Sequence, residues 1–399
     1  MTEPWPSTKI SNLFGIATLS LGSHQHHTLA DRLCASSKAG FTHIDLFDED
    51  WAAYLASHQL DPSLPWEPTA ANLRAAQQLG DLVKALGMQI ACTQPLRKIE
   101  GIRDPAERRA TLDLVAKRFP FMRAFDTDLV FMCSNIRTDS GVTSDLQTVA
   151  RDLAELGDMA AAFSRRDGGR MLNIGYEGLS WAVRNTWSSS WEVVRAANRP
   201  NVGLVVDSFN LLAVEFADPY HPAGHGRIYS TVDESMAVLY SSLAALVATV
   251  PGDRIFFVQL GDAELVDPET FLPPEDPEVP RLLPWSREHR LFPVESERGG
   301  YMPVELVAAA VLATGYKGPF SLEVFNKSLI APDPSVPSHH AERGYVGLQN
   351  LVQAVSQVPR FWDRAVLFSG VSLGRQELQS SEKQRPLSRT RIAPFGSNL

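Results

Sequence analysis

The sequence predicts one closed (β/α)8 barrel, a single α/β domain, on three observations. Strand-like and helix-like segments alternate eight times along the chain, the pattern of parallel strands joined by covering helices. Four apolar runs too short for buried helices, over 171–177, 202–207, 254–259 and 319–323, end on an oxygen-bearing side chain: Glu177, Asp207, Gln259 and Glu323. Finally, Leu21-Gly22-Ser23-His24 after the first strand is not the GxGxxG turn of an open doubly wound sheet.

The units follow in order. Residues 13–19 read as the first strand, and Thr28 to Asp31 has capping-box spacing before a helix that stops at Gly40. Residues 41–47 form the second strand and run into acidic 48–50, with a proline-rich loop through Pro68 and a helix over 70–86. The third strand spans 88–94 and its helix 105–119. The fourth spans 127–133, with Ser144 capping a helix that reaches Phe163. After the fifth strand, 181–191 read as loop before a helix ending near Asn198. After the sixth, 218–222 are loop and Thr231 caps a long helix. The seventh strand leads into a proline-crowded loop over 261–300, a length uncommon unless functional. A helix over 303–313, the eighth strand and a helix over 342–358 complete a barrel domain assigned to 1–369. Residues 370–399 lack periodicity and read as a flexible tail.

Ionised groups at the ends of buried strands must be paired, hydrogen-bonded or metal-bound. The period of two sends Leu172, Ile174 and Tyr176 to one face and Asn173, Gly175 and Glu177 to the other, so the acids belong to the barrel interior. Three carboxylates and an amide, with neither sulfur nor imidazole, suit Mg²⁺ or Mn²⁺, with Co²⁺ also acceptable, rather than Zn²⁺. A cation would relieve their mutual repulsion. The alternative is that each acid pairs with its own arginine.

Composition narrows the partners. A net charge of −9 disfavours nucleic acid and leaves a small molecule as the expected substrate. The three cysteines, Cys34, Cys92 and Cys133, form no CxxC pair and read as buried thiols of a reducing compartment. The amino terminus lacks the regions of a signal peptide, and the apolar stretch 237–250 reads as too short and serine-interrupted to span a bilayer. A cytoplasmic protein without membrane association is expected.

Several motifs carry a resemblance. Tyr176-Glu-Gly-Leu-Ser-Trp181, Val206-Asp-Ser-Phe-Asn210, Val258-Gln-Leu-Gly-Asp262, the Trp285 to Pro293 segment WSREHRLFP, Leu322-Glu-Val-Phe-Asn-Lys-Ser-Leu329 and Gln94-Pro-Leu-Arg97 resemble those of 3-dehydroshikimate dehydratases of the quinate-utilisation type, the fungal ones above all. These belong to the xylose isomerase-like barrels, and the likeness runs from about residue 13 to 359. It implies a divalent-metal lyase that dehydrates 3-dehydroshikimate to protocatechuate through a metal-stabilised enediolate, with metal ligands at Glu177, Asp207, Gln259 and Glu323. Arg97, Arg287 and Arg290 would hold the substrate carboxylate, since guanidinium groups do so bidentately. Asn210 joins the substrate-binding set, and Phe209, Trp181 and Phe325 would wall the ring.

Two positions depart from the family. Asn210 and Arg184 stand where relatives carry histidine, leaving Glu177, Glu323, His289 or a metal-bound hydroxide as candidate bases. His24, His26 and His27 follow the first strand and read as a solvated loop within reach of the mouth. The competing functions are a sugar or polyol isomerase or epimerase of the same superfamily, and a non-catalytic barrel that binds a ring acid. A DNA-repair endonuclease ranks last, for want of zinc-binding histidines and a basic face.

Overall fold

The structure, a computed structural model, describes residues 13–358; the expected tail lies outside them. Seven barrel strands come first: β1 (Phe14–Ala17), β2 (His43–Phe47), β3 (Gln89–Leu96), β4 (Leu129–Cys133), β5 (Asn173–Glu177), β6 (Val202–Asp207) and β7 (Ile255–Leu260). After a small antiparallel ladder of β8 (Asp262–Ala263) and β9 (Arg290–Leu291), the last barrel strand is β10 (Phe320–Leu322). Every barrel pairing is parallel, and the ring closes in the order β1-β10-β7-β6-β5-β4-β3-β2. The expected barrel and its eight strands are therefore present.

The helices are α1 (Leu29–Ala39), α2 (Asp48–Ser57), α3 (Ala70–Ala85), α4 (Pro105–Ala116), α5 (Phe119–Ala124), α6 (Leu146–Asp167), α7 (Trp187–Ala197), α8 (Ser208–Glu215), α9 (Val232–Thr249), α10 (Leu283–Glu288), α11 (Val304–Ala313) and α12 (Val336–Gln357). Several differ from the sequence reading for local reasons. Residues 48–57 are helical because their acidic first turn complements the positive end of the helix dipole. Asp145, not Ser144, caps α6 by accepting the Thr148 N–H. A Thr186–Ser189 capping box starts α7 inside the expected loop. At 18 residues α9 is long and apolar enough, by length and composition, to cross a bilayer, contrary to the sequence reading. Here it lies on the barrel's outside and buries Leu239, Leu243, Leu246 and Val247.

The barrel interior is filled from all sides. Cys92, Leu129, Phe131, Val205 and Phe257 form one buried cluster within it, while Ile174, Tyr176, Leu204, Val206, Val258 and Leu260 belong to the larger core shared with the helices. Size matters at the crowded positions. A Cβ on Gly175 would stand 2.6 Å from both Phe131 Cβ and Val205 Cγ2, two residues below Glu177. A Cβ on Gly15 would meet Ser321 Oγ at 2.8 Å, where that hydroxyl donates to Asp45 Oδ1 at 2.7 Å.

Overpacking a filled core costs about 1–3 kcal/mol. Gly175→Ala is therefore expected to lower stability by about that amount in urea unfolding, and an unchanged midpoint would contradict the close packing described.

Candidate active site

Strand alternation delivers the four strand-end residues to one place. Glu177, Asp207 and Glu323 are 3%, 3% and 6% exposed and Gln259 is fully buried. Asp207 and Gln259 are register partners on β6 and β7, and Gln259 Nε2 donates to Glu323 Oε1 at 2.8 Å. Gln94, at the same level of β3, donates to the same oxygen at 2.9 Å. The sequence reading passed over Gln94, although it too ends an apolar strand on an amide. Asp207 also caps α8, its Oδ1 accepting the N–H groups of Phe209 and Asn210 at 2.6 and 3.2 Å. That fixes the carboxylate where strand turns into helix.

Asn210 joins two of the acids. Its Nδ2 donates to Glu177 Oε1 at 2.8 Å and Asp207 Oδ2 at 3.0 Å, while its Oδ1 accepts from the Ser180 backbone N–H and hydroxyl at 3.1 and 3.0 Å. An amide has two hydrogens and two lone pairs, so nothing remains for a substrate. The expected substrate-binding role of Asn210 gives way to a positioning one.

Arg290 is the counterion. It is 2% exposed, and its Nη1 donates to Asp207 Oδ2 at 2.9 Å and Glu323 Oε2 at 3.2 Å. Its guanidinium lies over the Phe209 ring at 4.1 Å, so Phe209 supports the arginine from the core and does not wall a ligand. The alternative, that each acid pairs with its own arginine, fails, because Asp207 and Glu323 share one guanidinium. Glu177 has no ion-pair partner among the described residues. Burial first, and then the charges of Asp207 and Glu323, push its carboxyl well above the ordinary range. Burial raises Glu323 as well, with Arg290 opposing.

The other arginines stand at the mouth. Arg287 lies over the Phe325 ring at 4.0 Å. Arg97 lies over Phe47 at 5.4 Å and pairs with Glu49 at 3.1 Å, both partners exposed. Phe47 and Phe325 meet edge to face at 5.9 Å, so the two cations rest on one aromatic wall. Burial and the charges of Arg290 and Arg97 all disfavour the charged form of Arg287; the mouth is cationic, and an anion would relieve it. Trp181 is half-buried.

Two histidine expectations change. His289 Nδ1 contacts Glu264 Oε2 at 2.7 Å, and its ring meets Phe271 edge to face. It is the next residue, Arg290, that faces the carboxylates. His289 is thus paired with Glu264 and makes no hydrogen bond to the strand-end carboxylates among the described residues. His27 is buried, with Nε2 at 3.0 Å from Asp333 O, whereas His24 and His26 are exposed.

Donor chemistry fits a divalent cation at the four expected ligands. Of three nearly buried carboxylates, Asp207 and Glu323 share one guanidinium and Glu177 has none, and Gln259 Oε1 is a buried acceptor without a partner among the described residues. The arrangement is not a ready-made chelate, for no three His, Cys, Asp or Glu side chains among the described residues converge closely enough. Arg290 stands between Asp207 and Glu323 instead.

Comparison with known proteins agrees with this architecture. The sequence profile described as xylose isomerase-like TIM barrel matches residues 33–345. A 3-dehydroshikimate dehydratase of Neurospora crassa is 31% identical over 347 residues, 85% of this chain and 93% of that protein. One from Pseudomonas putida is 32% identical over 312 residues, 78% of this chain, which spans only 38% of that longer protein. Among solved structures, a xylose isomerase-like TIM barrel/4-hydroxyphenylpyruvate dioxygenase fusion protein superposes with a TM-score of 0.61 at 27% identity, over 94% of this chain and 45% of its own. A D-psicose 3-epimerase gives 0.54 at 15% identity, over 86% of this chain and 99% of its own, a likeness of fold alone. The chain belongs to the xylose isomerase-like TIM barrel family, in the branch that contains the 3-dehydroshikimate dehydratases.

Proposed function

We propose that the protein dehydrates 3-dehydroshikimate to protocatechuate with a divalent cation, Mg²⁺ or Mn²⁺, held by Glu177, Asp207, Gln259 and Glu323. The observation that carries the reading is an excess of buried negative charge at the strand ends beneath a mouth lined by guanidinium groups. The identity to dehydratases of the same family supports it. Bound there, the cation supplies a Lewis acid that polarises the substrate ketone.

The chain's own residues divide the remaining work. Arg287, seated on the Phe325 ring, takes the ring carboxylate, with Arg97 nearby. Arg290 holds Asp207 and Glu323 in place, and Asn210 fixes the spacing of Glu177 and Asp207. Glu177, the strand-end acid that no arginine pairs among the described residues, is assigned the proton alpha to the ketone. Breaking that C–H bond and the C–O bond of the β-hydroxyl releases water, the proton leaving with the hydroxyl. The resulting dienone enolises to the aromatic ring.

Chelator-treated protein is expected to give no rise in protocatechuate absorbance, and added Mg²⁺, Mn²⁺ or Co²⁺ to restore it; equal turnover with chelator present would overturn the reading. Glu323→Gln and Asp207→Asn should each lower kcat/KM by about 100-fold or more. Arg287→Met should act mainly on KM, raising it about tenfold.

Stability offers a separate check. A carboxyl whose proton affinity is raised by folding binds more protons in the folded state, so stability falls as pH rises through its window. Glu177 and Glu323 are shifted upward, and burial lifts Glu100, Asp262 and Glu215 to about 7. Exposed Asp139, Asp145 and Asp158 are shifted downward and titrate below this window. Metal-free protein should therefore lose about 2 kcal/mol or more between pH 5 and pH 8. Mn²⁺ should recover part of the loss at the higher pH.

A further inference from the structure

Tyr176 and Glu177 are neighbours on β5 and face opposite ways. Glu177 turns to the barrel axis. The Tyr176 hydroxyl donates outward to Glu100 Oε1 at 3.0 Å, at the edge of a cavity of about 250 Å³ walled by the loops that follow β3, β4 and β5. An Ile102–Val142 backbone bridge ties two of those loops together. The cavity is thus on the other side of β5 from the catalytic carboxylates, and nothing in the proposed reaction uses it.

Two of its groups are incompletely served. Glu100 is 2% exposed; its Oε1 takes the Asn135 N–H at 2.6 Å as well as the Tyr176 hydroxyl, but its buried Oε2 has no partner among the described residues. Arg184 donates to the carbonyls of Ser144 and Ser189 at 2.7 and 3.3 Å, while its Nε is buried and unpartnered. No carboxylate among the described residues lies within 4.0 Å of Arg184 or of Arg103, which also lines the cavity and whose Nε donates to the Val142 carbonyl. By contrast Arg137 is neutralised by Asp139 and Glu107.

The cavity therefore presents a buried acceptor that wants an O–H donor, beside two guanidinium groups that no carboxylate among the described residues approaches within 4.0 Å. We propose that this cavity is a second binding site, for a small carboxylic acid bearing a hydroxyl: the carboxylate against Arg184 and Arg103, the hydroxyl donating to Glu100 Oε2. Supporting this, burial and the like charge of Asp152 push the Glu100 carboxyl up to about 7, so a donor to its free oxygen is favoured.

The test is calorimetric titration of the full chain with L-malate, and with succinate as the same dicarboxylate lacking the hydroxyl. Malate should bind with one-to-one stoichiometry and more tightly than succinate. Arg184→Met should weaken malate by about tenfold or more, and Glu100→Gln should narrow the difference between the two acids. Val183→Trp, at an exposed rim position, should block binding without touching the core, which guards against a variant that fails to fold. Malate binding that is unchanged in Arg184→Met and Val183→Trp places the acid elsewhere, at the arginines of the barrel mouth, and overturns the proposal. Binding weaker than about 10 mM means that the cavity holds water only, and overturns it equally.

Discussion

Three carboxylates held almost out of water at the open end of a barrel set the terms for everything around them. An ionised carboxylate in such surroundings is tolerated only when donors or positive charge face it. Hence the density of donors: Gln94 and Gln259 on Glu323, Asn210 on Glu177 and Asp207, backbone N–H groups on Asp207, and Arg290 across two of the acids. The aromatic rings of Phe209 and Phe325 then serve to hold the arginines rather than to meet one another. Even so, one guanidinium does not balance three acids, and the deficit is the physical reason to place a cation at this centre.

The barrel and the strand-end residues were readable in the sequence because the signals are local. An acid closing a short apolar run is unusual in itself, and Glu177, Asp207 and Glu323 stood out without any knowledge of what lay opposite. Helices α2 and α8 were missed for the converse reason. The acids of 48–50 read as the end of the second strand before a proline-rich loop, though they favour a helix start, and Ser208 to Glu215 prolongs the apolar character of β6 past the point where the chain turns helical. The shared role of Arg290 was out of reach, since its partners lie 83 and 33 positions away. The orientation of His289 depended on the short ladder of β8 and β9, which no periodicity announced.

Asn210 shows how one side chain changes the reading of a site. An imidazole there would titrate near neutrality and carry protons; the amide does neither. What it offers is a spacer between two carboxylates whose own state is independent of pH, held in a single orientation by Ser180. In the proposed reaction, proton transfer would then fall to a carboxylate, and Glu177 is the one that no arginine pairs among the described residues.

The loop over 261–300 carries both Arg287 and Arg290, and it is pinned at several points: by the β8–β9 ladder, by the His289–Asn326 bridge and by the Trp285 indole donating to the Glu264 carbonyl. The arginines are accordingly in place before any ligand arrives. For an anionic ring this is a gain, because little further ordering is needed. For a neutral polyol it is an obstacle, since displacing water from fixed guanidinium groups without returning a charge leaves them poorly solvated. Selectivity in such a mouth would arise chiefly by exclusion, with uncharged sugars turned away by the same rigidity that welcomes an acid.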